Sequence, residues 1–131
     1  MSTSLITTGV QFPDGTLMNS LSETERQVPV STSTTTINLN TGDGATFFKL
    51  NVASSSTITF SNPPNASNTV FSFTMMTVNA GSGYTLTYGN TIKWPGGVVP
   101  SRTTATGAVD VWSFFIEANT YYGSLSIANA S

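Results

Sequence analysis

From Thr34 onward, apolar and polar residues alternate in short runs separated by Gly, Asn, Pro and Ser. Thr46 to Val52 places Phe48, Leu50 and Val52 on one face and Lys49 and Asn51 on the other, the pattern of a half-buried strand. Further runs at 35–39, 57–60, 69–78, 84–88, 92–94, 109–116 and 121–127 predict about seven or eight strands. Two of these runs carry apolar residues on both sides, in one case mixed with Ser and Thr. In 69–78, Phe71, Phe73 and Met75 share one face, and Val70, Ser72, Thr74, Met76 and Val78 share the other. In 109–116, Asp110, Trp112, Phe114 and Ile116 oppose Val109, Val111, Ser113 and Phe115. A strand covered on both faces is either central in the fold or part of a subunit interface. Short strands at regular spacing between turn signals predict an all-β domain, an antiparallel β-sandwich or a jelly-roll-like one.

The first thirty residues read differently. Asp14-Gly15 stands between two β-prone runs, 5–12 and 17–19, and predicts an N-terminal β-hairpin extension. A lone two-stranded ribbon is marginal in water, so this one needs a partner surface. Ser22 and Glu25 have capping-box spacing for a short helical turn, ended by Val28-Pro29-Val30. The expected organisation is a hairpin and connector over 1–33, then a β-domain over 34–131.

Composition sharpens this picture. The chain has 131 residues, enough for one domain. It carries 18 serines and 23 threonines, and only 8% of its residues are charged. A chain with 38% apolar residues and net charge −2 is not of the disordered type. So little charge over so much Ser, Thr and Asn suggests that part of the surface is covered in an assembly. Cys and His are both absent. That excludes disulfides, thiolate or imidazole metal sites, and Ser-His or Cys-His catalysis. Four scattered cations leave no nucleic-acid footprint, and no apolar run is long enough to span a membrane. Met1 to Thr8 lacks the basic and long apolar regions of a signal peptide. No cofactor is expected.

Two segments carry a family resemblance. Gly9-Val10-Gln11-Phe12-Pro13-Asp14-Gly15-Thr16 resembles the GV-x-F-x-DGT segment of bacteriophage tail-fibre and related virion proteins. Lys93-Trp94-Pro95-Gly96-Gly97-Val98-Val99-Pro100, followed by Gly107-Ala108-Val109-Asp110-Val111-Trp112-Ser113-Phe114, resembles a pattern near the C-termini of such proteins, including those of phages infecting cyanobacteria and other aquatic bacteria. Residues 117–123 depart from the Asp/Gly-rich turn frequent there. The resemblance implies a homotrimeric, non-enzymatic structural protein of the virion, a short tail fibre or tail tip. It would attach through the hairpin around Val10, Phe12, Asp14 and Gly15. A capsid decoration, cement or head-fibre protein on the capsid surface is the alternative location. A stand-alone carbohydrate-binding module is the alternative of another class.

Candidate chemistry is sparse. Asp110 and Glu117 are the nearest carboxylates on strands, but seven residues apart they point to opposite faces. Asp14 and Asp43 precede glycine and read as turn residues; Asp43 with Asn38 and Asn40 is too poor in carboxylates for calcium. Aromatic faces and amides suit sugars without needing charge. Trp94, Tyr84, Tyr88, Tyr121 and Tyr122, with Asn90 and Asn119, are therefore candidate contacts to a host surface glycan, against the alternative that these rings pack in the core or the trimer interface. The expected partners are thus a second and third copy, other virion proteins and a glycan, with no nucleic acid and no membrane insertion.

Overall fold

Period-two alternation gives each strand an inward apolar row, but it leaves open which neighbour the strand pairs with. In the computed structural model, which describes the strands Leu5–Ile6 (β1), Gly9–Gln11 (β2) and Leu17–Met18 (β3) and residues 24–64 and 68–130, that choice is mostly parallel. β4 (Glu25–Val30), β6 (Phe47–Val52) and β8 (Val70–Asn79) pair in parallel, with Glu25 opposite Phe47 and Phe47 opposite Thr74. β5 (Thr34–Asn38), β7 (Ser56–Ser61) and β9 (Leu86–Tyr88) form a second parallel sheet, with Thr34 opposite Thr57 and Thr57 opposite Thr87.

The chain therefore winds from one sheet to the other and returns one strand further along. It is a parallel β-solenoid of about four turns, and the antiparallel sandwich or jelly roll expected from the sequence is overturned. The reason lies in the corners. Residues 31–33 and 53–55 are too short and polar to hold a core, yet they turn the chain across to the facing sheet instead of back beside the strand just left. Successive corners stack: the Ala53 amide donates to the Val30 carbonyl, and the Ala80 amide to the Val52 carbonyl, each at 2.8 Å. Glu25–Val30, read as connector, is the first strand of the solenoid.

The last turn is closed differently. β11 (Val109–Glu117) runs antiparallel to β8, and β12 (Thr120–Ala130) antiparallel to β11; the short β10 (Ile92–Lys93) adds in parallel to β12. The large sheet thus has six strands in the order β10-β12-β11-β8-β6-β4, facing three in the order β5-β7-β9. A separate three-stranded sheet of order β1-β2-β3 includes antiparallel β2 and β3, the strands flanking Pro13-Asp14-Gly15.

The core lies between the facing sheets. Phe48, Leu50, Val52, Phe73, Met75, Trp112 and Phe114 come from the large sheet, and Ile37, Ile58 and Phe60 from the small one. Phe73 meets Phe48, Phe60 and Phe114 at ring separations of 5.0–5.8 Å, the first two edge-on, a geometry that aromatic quadrupoles favour. Truncating a ring such as Phe48 in this setting costs about 3–5 kcal/mol.

Phe60 of β7 and Tyr88 of β9 reach the inner face of β11 and β12, and the segment 94–108 covers the rest of it. Asp110, 1% exposed, points inward and accepts from the amides of Thr103 (2.7 Å) and Asn129 (2.8 Å). Buried Asn79 donates to the carbonyls of Thr103 and Ala105, both at 2.9 Å, and accepts from Arg102, which also donates to the Tyr84 carbonyl at 2.7 Å. These polar groups replace the strand-to-strand bonds that a further coil would have supplied.

Candidate functional site

The outward rows of the large sheet form its candidate site. β8 contributes Ser72, Thr74, Met76 and Val78; β11 contributes Val109, Val111, Ser113 and Phe115, paired across the strands as Val78 with Val109, Met76 with Val111, Thr74 with Ser113 and Ser72 with Phe115. Met76, Val78, Val109 and Val111 are half-buried in the single chain, and Phe115 is 42% exposed. β12 extends the surface with Tyr122, Ser124 and Ile127, opposite Phe115, Ser113 and Val111; Ile127 is 51% exposed. From Val109 to Phe115 on β11 and from Ser72 to Val78 on β8, this face carries no charge. Charged side chains stand only beyond them: Glu25 and Lys49 toward β4 and β6, Lys93 on β10, and Glu117 at the end of β11.

A depression of about 720 Å³ opens on this surface, lined among others by Lys93, Trp94, Ser113, Phe115, Tyr122 and Ser124. The Phe115 and Tyr122 rings stack as a cross-strand pair, 4.6 Å apart and 12° from parallel, and the Lys93 ammonium lies 5.9 Å from the Tyr122 ring centre. Below them is Gly123, buried on β12. A Cβ there would lie 2.7 Å from the Phe114 ring and 2.8 Å from Trp94, so the glycine lets Trp94 slide beneath the strand. The depression can offer a flat aromatic surface, hydroxyls and one cation to a ligand.

The sheet divides the aromatic residues singled out from the sequence. Tyr122 faces outward, in the depression. Tyr88 and Trp94 face inward, 5.3 Å apart and packed on Trp112 and Phe114; Trp94 reaches the depression only at its edge. The buried Tyr88 hydroxyl has no hydrogen-bond partner, and burial raises its pKa far above the ordinary tyrosine value. Tyr121 stacks on Phe60 at 6.1 Å, and partial burial raises its pKa too. Tyr84 packs against the core beside Gly81. Asn90 is committed to the backbone of Phe60, accepting from its amide at 2.7 Å and donating to its carbonyl at 3.1 Å, which extends the β7–β9 ladder by one side chain. Asn119 sits in the β11–β12 turn with φ 64°. Phe115, Lys93, Ser113 and Ser124 were not among the sequence candidates for ligand contact. For Ser113 and Phe115 the signal was the outer face of 109–116, which the alternation of that run already shows; for Lys93 and Ser124 there was none.

For the hairpin, Val10 lies in β2, opposite Leu5 and Met18. Phe12, Asp14 and Gly15 lie outside the described residues.

Acid–base chemistry finds little support. Both Asp110 oxygens are occupied by backbone amides, and Glu117 is exposed on the other face. Among the described residues no group of three Asp or Glu gathers as a metal site would require, and no helix is long and apolar enough to cross a membrane. The chain matches no protein-family model, no curated protein and no solved structure.

Proposed function

We propose that this chain is a non-enzymatic structural protein of a bacteriophage virion, of the short tail-fibre or tail-tip type, which assembles as a homotrimer. The observation that carries the reading is the outer face of β8 and β11, uncharged from Val109 to Phe115 and rich in apolar side chains. A face of that kind is unusual on a solitary soluble domain and ordinary in an assembly. The two segments that resemble virion proteins, 9–16 and 93–114, supply the virion context. The hairpin at Val10, Phe12, Asp14 and Gly15 would be the attachment point to other virion proteins.

The Phe115–Tyr122 depression supports the finer reading, contact with a host surface glycan. Stacked rings bind the apolar faces of a sugar, and Ser113 and Ser124 beside them bind hydroxyls.

Gold-labelled antibody against the chain, applied to intact particles of a phage that encodes it, tests the proposal. Label at the tail is expected. Label on the head would move the protein to the capsid surface, as a decoration or head-fibre protein. Unlabelled particles would overturn the virion reading and favour a free-standing carbohydrate-binding module.

A further inference from the structure

We infer that copies of this chain meet head to tail through the outer face of the large sheet, with the Glu25 end of edge strand β4 of one copy beside Lys93 on edge strand β10 of the next. The inference rests on the trimeric reading above and adds the surface and the register.

β4 and β10 are the two opposite edges of the six-stranded sheet. Each ends the outer face with an exposed charge, Glu25 on β4 and Lys93 on β10. The pairings fix their relative heights. Glu25 stands in the row of Phe47, Thr74, Ser113 and Ser124, while Lys93 stands in the row of Ser72, Phe115 and Tyr122. The rows are adjacent, about 7 Å apart along the strands, which a lysine and a glutamate together can span. Opposite charges at opposite edges cannot meet within one chain. Five strand spacings, about 24 Å, separate them. They can meet between copies, and a contact of one edge with the other edge is heterologous, the kind that closes into a ring.

The uncharged strip then faces the ring axis, where Met76, Val78, Val109 and Val111 lose their contact with water, while the depression at Phe115 lies at the end of the strip. The face measures about 24 Å across and about 25 Å along the strands, roughly 600 Å² per copy. That falls below the roughly 800 Å² per partner of a standard specific interface, so the charge pair at the edges must set the register. The net charge of −2 per copy leaves little repulsion to overcome. A strongly charged partner finds nothing here to pair with, since the face holds cations and acids in equal number at its rim.

Solution mass by light scattering, on the full chain, tests this. The wild type should have a mass near three times 13.8 kDa. Val111→Lys and Ile127→Lys place a charge on that face at side chains the single chain leaves half-buried and 51% exposed, so each monomer still folds, as circular dichroism will show. Each should weaken assembly by at least about 30-fold. Glu25→Lys and Lys93→Glu should each weaken it, and the double variant should recover most of the loss, since only a pair in contact is restored by exchange. A trimer unaffected by the two lysine variants, or a charge exchange without recovery, overturns this interface and leaves the trimeric reading standing. A wild-type monomer or dimer overturns both.

Discussion

Single side chains close the ends of this solenoid. Arg26 stands on edge strand β4 and donates to the Asn38 carbonyl at 2.6 Å, to the Thr41 hydroxyl and to Asp43 Oδ1 at 2.5 Å, with its guanidinium 5.3 Å from the Phe48 ring centre. One residue thus ties the first strand to the corner after β5 and shields the last ring of the core. Hydrogen bonding from Arg26, then from the Ala45 amide, lowers the Asp43 carboxyl from its ordinary 3.8 to about 2. Because the folded value is the lower one, this pair stabilises the fold above about pH 4 and the contribution is lost as pH falls toward about 2. The urea midpoint of the wild type should therefore fall more steeply between those values than that of Asp43→Asn. Equal slopes would show that the pair contributes nothing. The sequence shows Asp43 before glycine and so gives the turn correctly, but the charge that fixes it comes from Arg26, seventeen residues away, which no local pattern reveals.

At the scale of elements, the strands themselves were legible because inward and outward rows alternate cleanly. Pairing direction was not. A polar corner of three residues looks the same whether it returns the chain beside the last strand or sends it to the facing sheet. A better signal was present in the repeat. Thr34, Thr57 and Thr87 occupy one position in three successive coils, and the Thr57 and Thr87 hydroxyls are 2.9 Å apart. Coils separated by 22 to 30 residues, as in Glu25 to Phe47 or Thr57 to Thr87, are the spacing of a solenoid. Their unequal lengths hid the period. The one true hairpin of the large sheet is the link from β11 to β12, where Ala118 and Asn119 both have positive φ, 49° and 64°. That is the two-residue turn matching the twist of paired strands, and alanine is a poor residue for it. Ala118→Gly should raise unfolding stability by about 0.5 kcal/mol, as the relief of a left-handed alanine exceeds the entropy that glycine adds to the unfolded chain. A fall in stability would mean that the Ala118 methyl group makes a contact of its own.

For the whole molecule, the outer face of the large sheet joins the two runs that alternation marks as carrying apolar residues on both sides. Read alone, each could be a central strand with both faces inside the fold. β8 and β11 are indeed central in their sheet, but only one layer packs on them, so one apolar face is left outward. The aromatic candidates divide for the same reason: which side of β12 a ring occupies depends on single-residue register, and Tyr121 and Tyr122 fall on opposite sides. The absence of cysteine permits a direct test of how copies meet. In Glu25→Cys/Lys93→Cys the two thiols stand at opposite edges of the sheet, so a short bismaleimide, which reaches across two adjacent rows but not across the sheet, can join only different copies. Cross-linking followed by denaturing electrophoresis should give a ladder that ends at three chains, with neither single variant passing the dimer. Only monomer, or polymers that run on without closing, would contradict a ring built through the outer face of the sheet.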